Sequence, residues 1–160
     1  GVDKIAFELH PGFCVYNTAS MLRIRREIGP VLGANFDPSH LLWQGNDMVA
    51  SIRELGDAIY HFHAKDTALD AINIAKKGVL DTTSYGDFAN RSWTFRTLGY
   101  GHGTDFWKSV ISALRTVGYD DIISIEHEDG MMSVKEGLEK AVAMVKSVII
   151  HEQPAAMWWA

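Results

Sequence analysis

Apolar positions in this chain fall in short runs separated by longer amphipathic stretches. Val2 to Leu9 predicts a buried strand, and a helix capped by Asn17 or Thr18 is expected to run to about Glu27, where Gly29 and Pro30 end it. Leu32 to Phe36 predicts a second strand. A helix capped by Asn46 follows, through Leu55 with Gly56 as its stop, and then a third strand from Ala58 to Ala64. Between Thr67 and Gly103 glycines, aspartates, threonines and aromatics mix without sustained periodicity, the mark of a long insert that covers a site. Beyond it, Thr104 or Asp105 caps a helix through Arg115 and Ile122 to Ile125 predicts a fourth strand. Ser133 with Glu136 then forms the capping box of a last helix to about Ile149.

Strands that alternate with helices require a parallel sheet, because each return crosses over through a helix. The expected class is therefore α/β, with four strand-helix units. A closed eight-stranded barrel takes roughly 250 residues, so these 160 predict a parallel (βα)4 half of a TIM barrel. Alone, such a sheet leaves two unpaired edges, so an N-terminal barrel half or a homo-oligomer is expected to complete it. Residues 1–150 form the half-barrel and 151–160 a tail that is frayed or packed on a partner. No glycine-rich loop follows any strand, which removes the usual nucleotide-binding open sheet.

Composition narrows the function. With 47% hydrophobic and 22% charged residues, the chain can bury a core. No apolar run approaches the roughly 18 residues of a membrane span, and no membrane partner is expected. The single cysteine, Cys14, forms no internal disulfide and reads as a small buried or loop residue, consistent with a cytoplasmic setting. A net charge of −5 with scattered Lys and Arg argues against nucleic acid while allowing a small anionic substrate.

Four segments, FELHP, FDPSH, HFHAKD and SIEHED, place acids and histidines where the strand runs break into loops. Active sites of parallel barrels are built at such strand ends. Glu8 ends the first strand. Asp37 follows the second, where it can also cap the DPSH turn, with His40 as a hydrogen-bonding partner of a ligand or of substrate. His61 and His63 share a parity and point to one side of the third strand. At its mouth, Lys65 can neutralise a substrate oxygen or pair with Asp66. Glu126 is the deeper carboxylate of SIEHED, and Glu128 and Asp129 are expected in exposed loop. Carboxylates and an imidazole from several strands suit a divalent ion, Mn, Mg or Co, with Zn also accommodated. The insert adds Arg91, Trp93, Arg96, Tyr100 and His102 as a lid, with Arg96 as the preferred substrate contact and Asp87 or Asp105 as competing surface partners for the arginines. Trp43 is either an apolar wall for a sugar or a core residue.

Together with FRTLGYGHG, these segments resemble the sugar phosphate isomerase/epimerase superfamily, with its xylose-isomerase-like TIM barrel, over the C-terminal half of that fold. The resemblance implies that Glu8, Asp37, His63 and Glu126 bind one divalent metal ion. It further implies that His40 contacts a substrate oxygen and that His61 lies behind the ligands or faces substrate. Ketose 3-epimerases carry an arginine six residues after the metal-binding histidine. Here that residue is Leu69, leaving Arg96 to reach inward. The implied activity is isomerisation or epimerisation of a sugar or sugar phosphate through an enediolate, with Glu8 and Glu126 moving the proton on opposite faces. Myo-inosose dehydratases share the architecture and the Lys-Asp pair of Lys65 and Asp66, so dehydration, with His102 as acid, is the alternative. A non-catalytic half-barrel is the third reading.

Overall fold

Parallel strands β1 (Ile5–Glu8), β2 (Leu32–Phe36), β3 (Ile59–Ala64) and β6 (Ile123–Ile125) lie in the order β1-β2-β3-β6. The computed structural model describes residues 1–159; Ala160, the last residue of the expected tail, lies outside them. Helix α1 (Thr18–Ile28) returns the chain from β1 to β2, and α2 (Pro38–Leu42) and α3 (Met48–Leu55) return it to β3. After the insert, α5 (Thr104–Thr116) leads to β6, and α6 (Val134–Val148) follows. The parallel half-barrel architecture thus emerges as the hydrophobic pattern predicts.

Apart from α5, the helices start where short polar side chains accept the free first-turn N–H groups, a contribution of about 1 kcal/mol each. Asn17 and Ser20 form a reciprocal box on α1, and Ser133 accepts from Glu136 N on α6. Two caps shift by one residue. Asp47 rather than Asn46 caps α3, through a 2.7 Å bond from Ala50 N, and Gly103 rather than Thr104 or Asp105 precedes α5. The core lies between sheet and helices and includes Phe36, Phe62, Ile52, Trp107, Val110 and Leu114. No described helix is long and apolar enough to cross a membrane.

Two expectations need correction. Strand β1 is shorter than Val2 to Leu9 and largely exposed rather than buried, because it forms one edge of the sheet. The insert also has elements of its own. Strand β4 (Asp66–Leu69) pairs antiparallel with β5 (Trp93–Arg96), and α4 (Ala71–Lys77) lies between them. Asp70 caps α4 and Gly78 ends it at φ 75°, so its punctuation was present in the sequence. Seven residues were too few for the periodicity to show. The buried Arg91 knits the insert together, donating to the carbonyls of Trp93 and Thr83 while its guanidinium covers Tyr85 and Trp93. Cys14 is a loop residue and exposed.

Register decides which side chains face the site. Glu8 pairs with Asn35, Asn35 with His61, and His63 with Ser124. Paired residues point to the same face and the pattern repeats every second residue, so Glu8, Asn35, Asp37, His61, His63, Lys65, Ser124 and Glu126 share one face. An irregularity after Ala34 sets this alignment. Gly33 permits it, since a Cβ there would collide with the Tyr60 ring.

Candidate metal centre

Glu8, Asp37, His63 and Glu126 converge at the C-terminal ends of the four parallel strands, with one donor atom from each within 4.8 Å of the others. His63 Nδ1 lies 3.2 Å from Glu126 Oε2, 3.5 Å from Glu8 Oε1 and 4.0 Å from Asp37 Oδ2. Asp37 Oδ2, His63 Nδ1 and Glu126 Oε2 are buried without a hydrogen-bond partner. Buried polar atoms are ordinarily satisfied, and three orphans facing one point fit a divalent cation. Three carboxylates and one imidazole form a hard, mostly oxygen donor set.

Asp37 reaches this point because its other oxygen, Oδ1, accepts from Ser39 N at 2.8 Å and caps α2. Complete burial pushes its carboxyl up to about 6, despite the nearby Lys65. Glu8 is held below the ordinary carboxylate range, chiefly by the His63 imidazole beside it, and the same contact raises His63. Burial drives His40 down to about 3, helped by the Lys65 charge, so its ring is neutral. Its Nε2 lies 3.4 Å from Asp37 Oδ2 and 3.8 Å from Glu8 Oε1.

Lys65 corrects one expectation. It does not pair with Asp66 but with Asp37 at 3.6 Å, Glu126 at 3.4 Å and Glu128, its ammonium 4.2 Å from the centre of the Phe95 ring. Burial alone would lower its pKa, but these carboxylates outweigh it and the net shift is upward. Asp66 turns the other way and accepts from the backbone N–H groups of Thr67, Gly99, Gly101 and His102 and from Trp107 Nε1. The same carboxylate holds His102 Nδ1 at 2.8 Å, placing His102 in the loop before α5.

Arg96 pairs with Asp129 at 3.1 Å, not with Asp87 or Asp105. Asp129 is accordingly buried rather than exposed, receiving Thr97 N and Met131 N as well. Glu128 is exposed in the loop, as expected, and is ion-paired to Lys65. His61 bonds Ser124 Oγ at 2.8 Å, one step deeper than His63. Trp43 stacks on Trp93 with centroids 4.7 Å apart and planes 2° from parallel, which places it in an aromatic layer with the insert.

Three nearby residues escaped the sequence reading. Phe95 meets His40 edge-on at 5.3 Å, His10 lies 4.3 Å from His40, and Asn35 is 3.2 Å from His63 Nε2. Asn35 was detectable from its parity with Asp37. Phe95 was not, because only the β4-β5 pairing brings it to the site.

A cluster of three carboxylates and an imidazole that could hold a metal ion, at the strand ends of half an α/β barrel, marks the class. The xylose isomerase-like TIM barrel family matches residues 1–148, and the chain belongs to it. It is 40% identical over 149 residues to the uncharacterised protein YfiH of Bacillus subtilis (strain 168), a match covering 93% of this chain and 48% of that protein. It is 32% identical over 124 residues to the rhizopine catabolism protein MocC of Rhizobium meliloti, covering 78% and 36% respectively. The chain thus spans half or less of the length of these curated relatives. Among solved structures, a xylose isomerase domain protein from Planctomyces limnophilus superimposes with a TM-score of 0.62 at 20% identity, covering 91% of this chain and 48% of that one. The IOLI protein with a bound zinc atom gives 0.62 at 22% identity, covering 91% and 49%. At these identities the likeness is one of fold.

Proposed function

We propose that this chain is the metal-binding, C-terminal half of a divalent-metal-dependent isomerase or epimerase acting on a sugar or sugar phosphate. The convergence of Glu8, Asp37, His63 and Glu126, with three facing atoms lacking hydrogen-bond partners, carries this reading. A divalent ion held there, Mn, Mg or Co from the hard donor set and Zn by analogy with the zinc-bound likeness, supplies Lewis-acid polarisation of a substrate oxygen. Glu8 belongs to one edge strand and Glu126 follows the other, so one carboxylate takes the carbon-bound proton and the other returns it on the opposite face, by way of an enediolate. His40, neutral and buried, donates a hydrogen bond to a substrate oxygen. Lys65 stays charged and offsets negative charge that develops on substrate. His61, Arg96, His102 and Trp43 complete the proposed substrate surroundings, Arg96 through the insert it anchors to Asp129.

Residues 1–150 act in this reading as the half-barrel and 151–160 as a tail, with an N-terminal barrel half or a second copy closing the site in a cytoplasmic enzyme. Metal-loaded protein incubated with candidate ketoses, aldoses and their phosphates in deuterium oxide is expected to place solvent deuterium on the carbon next to the carbonyl. Stoichiometric metal without such exchange for any substrate that turns over would rule the proton-transfer route out. Dehydration is the second reading, favoured by Asp66 fixing His102 Nδ1 and leaving Nε2 to act as an acid. Its sign is loss of water, with an unsaturated or deoxy product instead of an isomer.

A further inference from the structure

Asn35 lies two residues before Asp37 on the same face of β2, in register with Glu8 and His61. Its amide nitrogen, Nδ2, lies 3.2 Å from His63 Nε2, and Asn35 Oδ1 is buried without a partner. The other ring nitrogen, Nδ1, faces Glu8, Asp37 and Glu126 and has no hydrogen-bond partner. His61, the other imidazole on this strand, is engaged with Ser124 and meets His63 only edge-on at 5.2 Å.

A neutral imidazole carries one proton, and only its bare nitrogen can ligate a cation. If Nδ1 ligates, Nε2 bears the hydrogen and needs an acceptor. A carboxamide presents an acceptor or a donor from the same place by a half-turn about its terminal bond, and here the end that would accept is the one left orphaned. With Oδ1 turned to His63, Nε2–H is satisfied and Nδ1 is bare among the three carboxylates.

We propose that Asn35 is the positioning residue of the metal centre, accepting from His63 Nε2–H through Oδ1 and so fixing the tautomer that leaves Nδ1 free to ligate. This rests on the metal-binding reading above and adds to it the group that selects the ligating nitrogen. Outer partners of this kind change metal affinity by about 10–100-fold.

The test combines calorimetric Zn2+ affinity with long-range 1H–15N spectra of His63 in the wild-type protein, Asn35→Leu and Asn35→Asp. Expected are a protonated Nε2 in the zinc-loaded wild type and a roughly 10–100-fold loss of affinity in Asn35→Leu, with helical circular dichroism retained. Asn35→Asp keeps an acceptor and loses the donor, so it is expected to preserve both Nε2–H and binding even if Asn35→Leu folds poorly. Wild-type binding with equal affinity in Asn35→Leu, a bare Nε2 in the wild type, or loss of binding and of Nε2–H in a folded Asn35→Asp would each overturn the proposal. A wild-type protein that binds no ion would instead overturn the metal centre itself.

Discussion

Asp37 is fully buried, with one oxygen capping α2 and the other facing His63, His40 and Lys65 without a hydrogen bond. Its carboxyl titrates near 6, and His63 holds its proton above the ordinary histidine range. Only the deprotonated forms ligate, so metal affinity is expected to fall first as pH drops through the raised His63 range and further below about 6, where Asp37 takes up its proton, with protons released on binding. Calorimetry in buffers of different ionisation enthalpy reads both quantities, and an affinity that is flat down to about pH 5 would contradict the assignment. Glu126→Gln is expected to weaken binding by more than the roughly 10–100-fold cost of losing an outer partner, with the fold retained by circular dichroism. Lys65 presents the opposite charge. Its removal leaves the fully buried Asp37 carboxylate without its counter-charge beside the partly exposed Glu126, so Lys65→Met is expected to destabilise the metal-free protein by about 3 kcal/mol in urea unfolding. Added divalent metal should recover part of that loss. Stability that is unchanged with and without metal would show that Lys65 does not balance the cluster.

At the scale of elements, the insert is held by two buried carboxylates. Asp66 gathers the N–H groups of Gly99, Gly101 and His102, and Asp129 ties Thr97 and Arg96 to the loop after β6. Each buried N–H left without an acceptor costs about 1–3 kcal/mol. Asp66→Ala is therefore expected to destabilise by at least about 3 kcal/mol, with the increase in hydrogen exchange concentrated at residues 97–103. Gly101→Ala should act on the same segment, because its Cβ would press on the Thr67 carbonyl and the Asp66 carboxylate. Exchange that rises uniformly across the chain would mean that Asp66 supports the whole fold and not this loop.

At the scale of the molecule, β1 and β6 are the sheet's two edges, and Val2, Ile5, Phe7, Phe13 and Tyr16 leave an exposed apolar surface on and beside β1. Open edges and apolar patches favour association. Residues 1–160 alone are expected to sediment faster than a 17.8 kDa monomer. Supplying an N-terminal barrel half should convert that species to a defined complex with protected β1 amides. A stable monomer with fast-exchanging β1 amides would show that the edges need no cover.

Much of this was written in the chain's local chemistry. Period-two and helical patterns with Asn17, Gly29 and Ser133 marked the alternation of strand and helix. Motifs at the strand ends and strand parity brought forward Glu8, Asp37, the His61 and His63 pair and Glu126, and the resemblance to the isomerase/epimerase superfamily then implied His63 as the ligand of that pair. Neighbours in space but not in sequence lay beyond that reach. The irregularity after Ala34 sets Asn35 beside His63, the β4-β5 pairing carries Phe95 over Lys65, and burial decides that Lys65 answers Asp37, Glu126 and Glu128 while Asp66 binds a loop more than 30 residues away. Local patterning directs each side chain to a face, whereas the partner it meets there, and the charge it then carries, depend on desolvation and packing that exist only once the strands and the insert have come together.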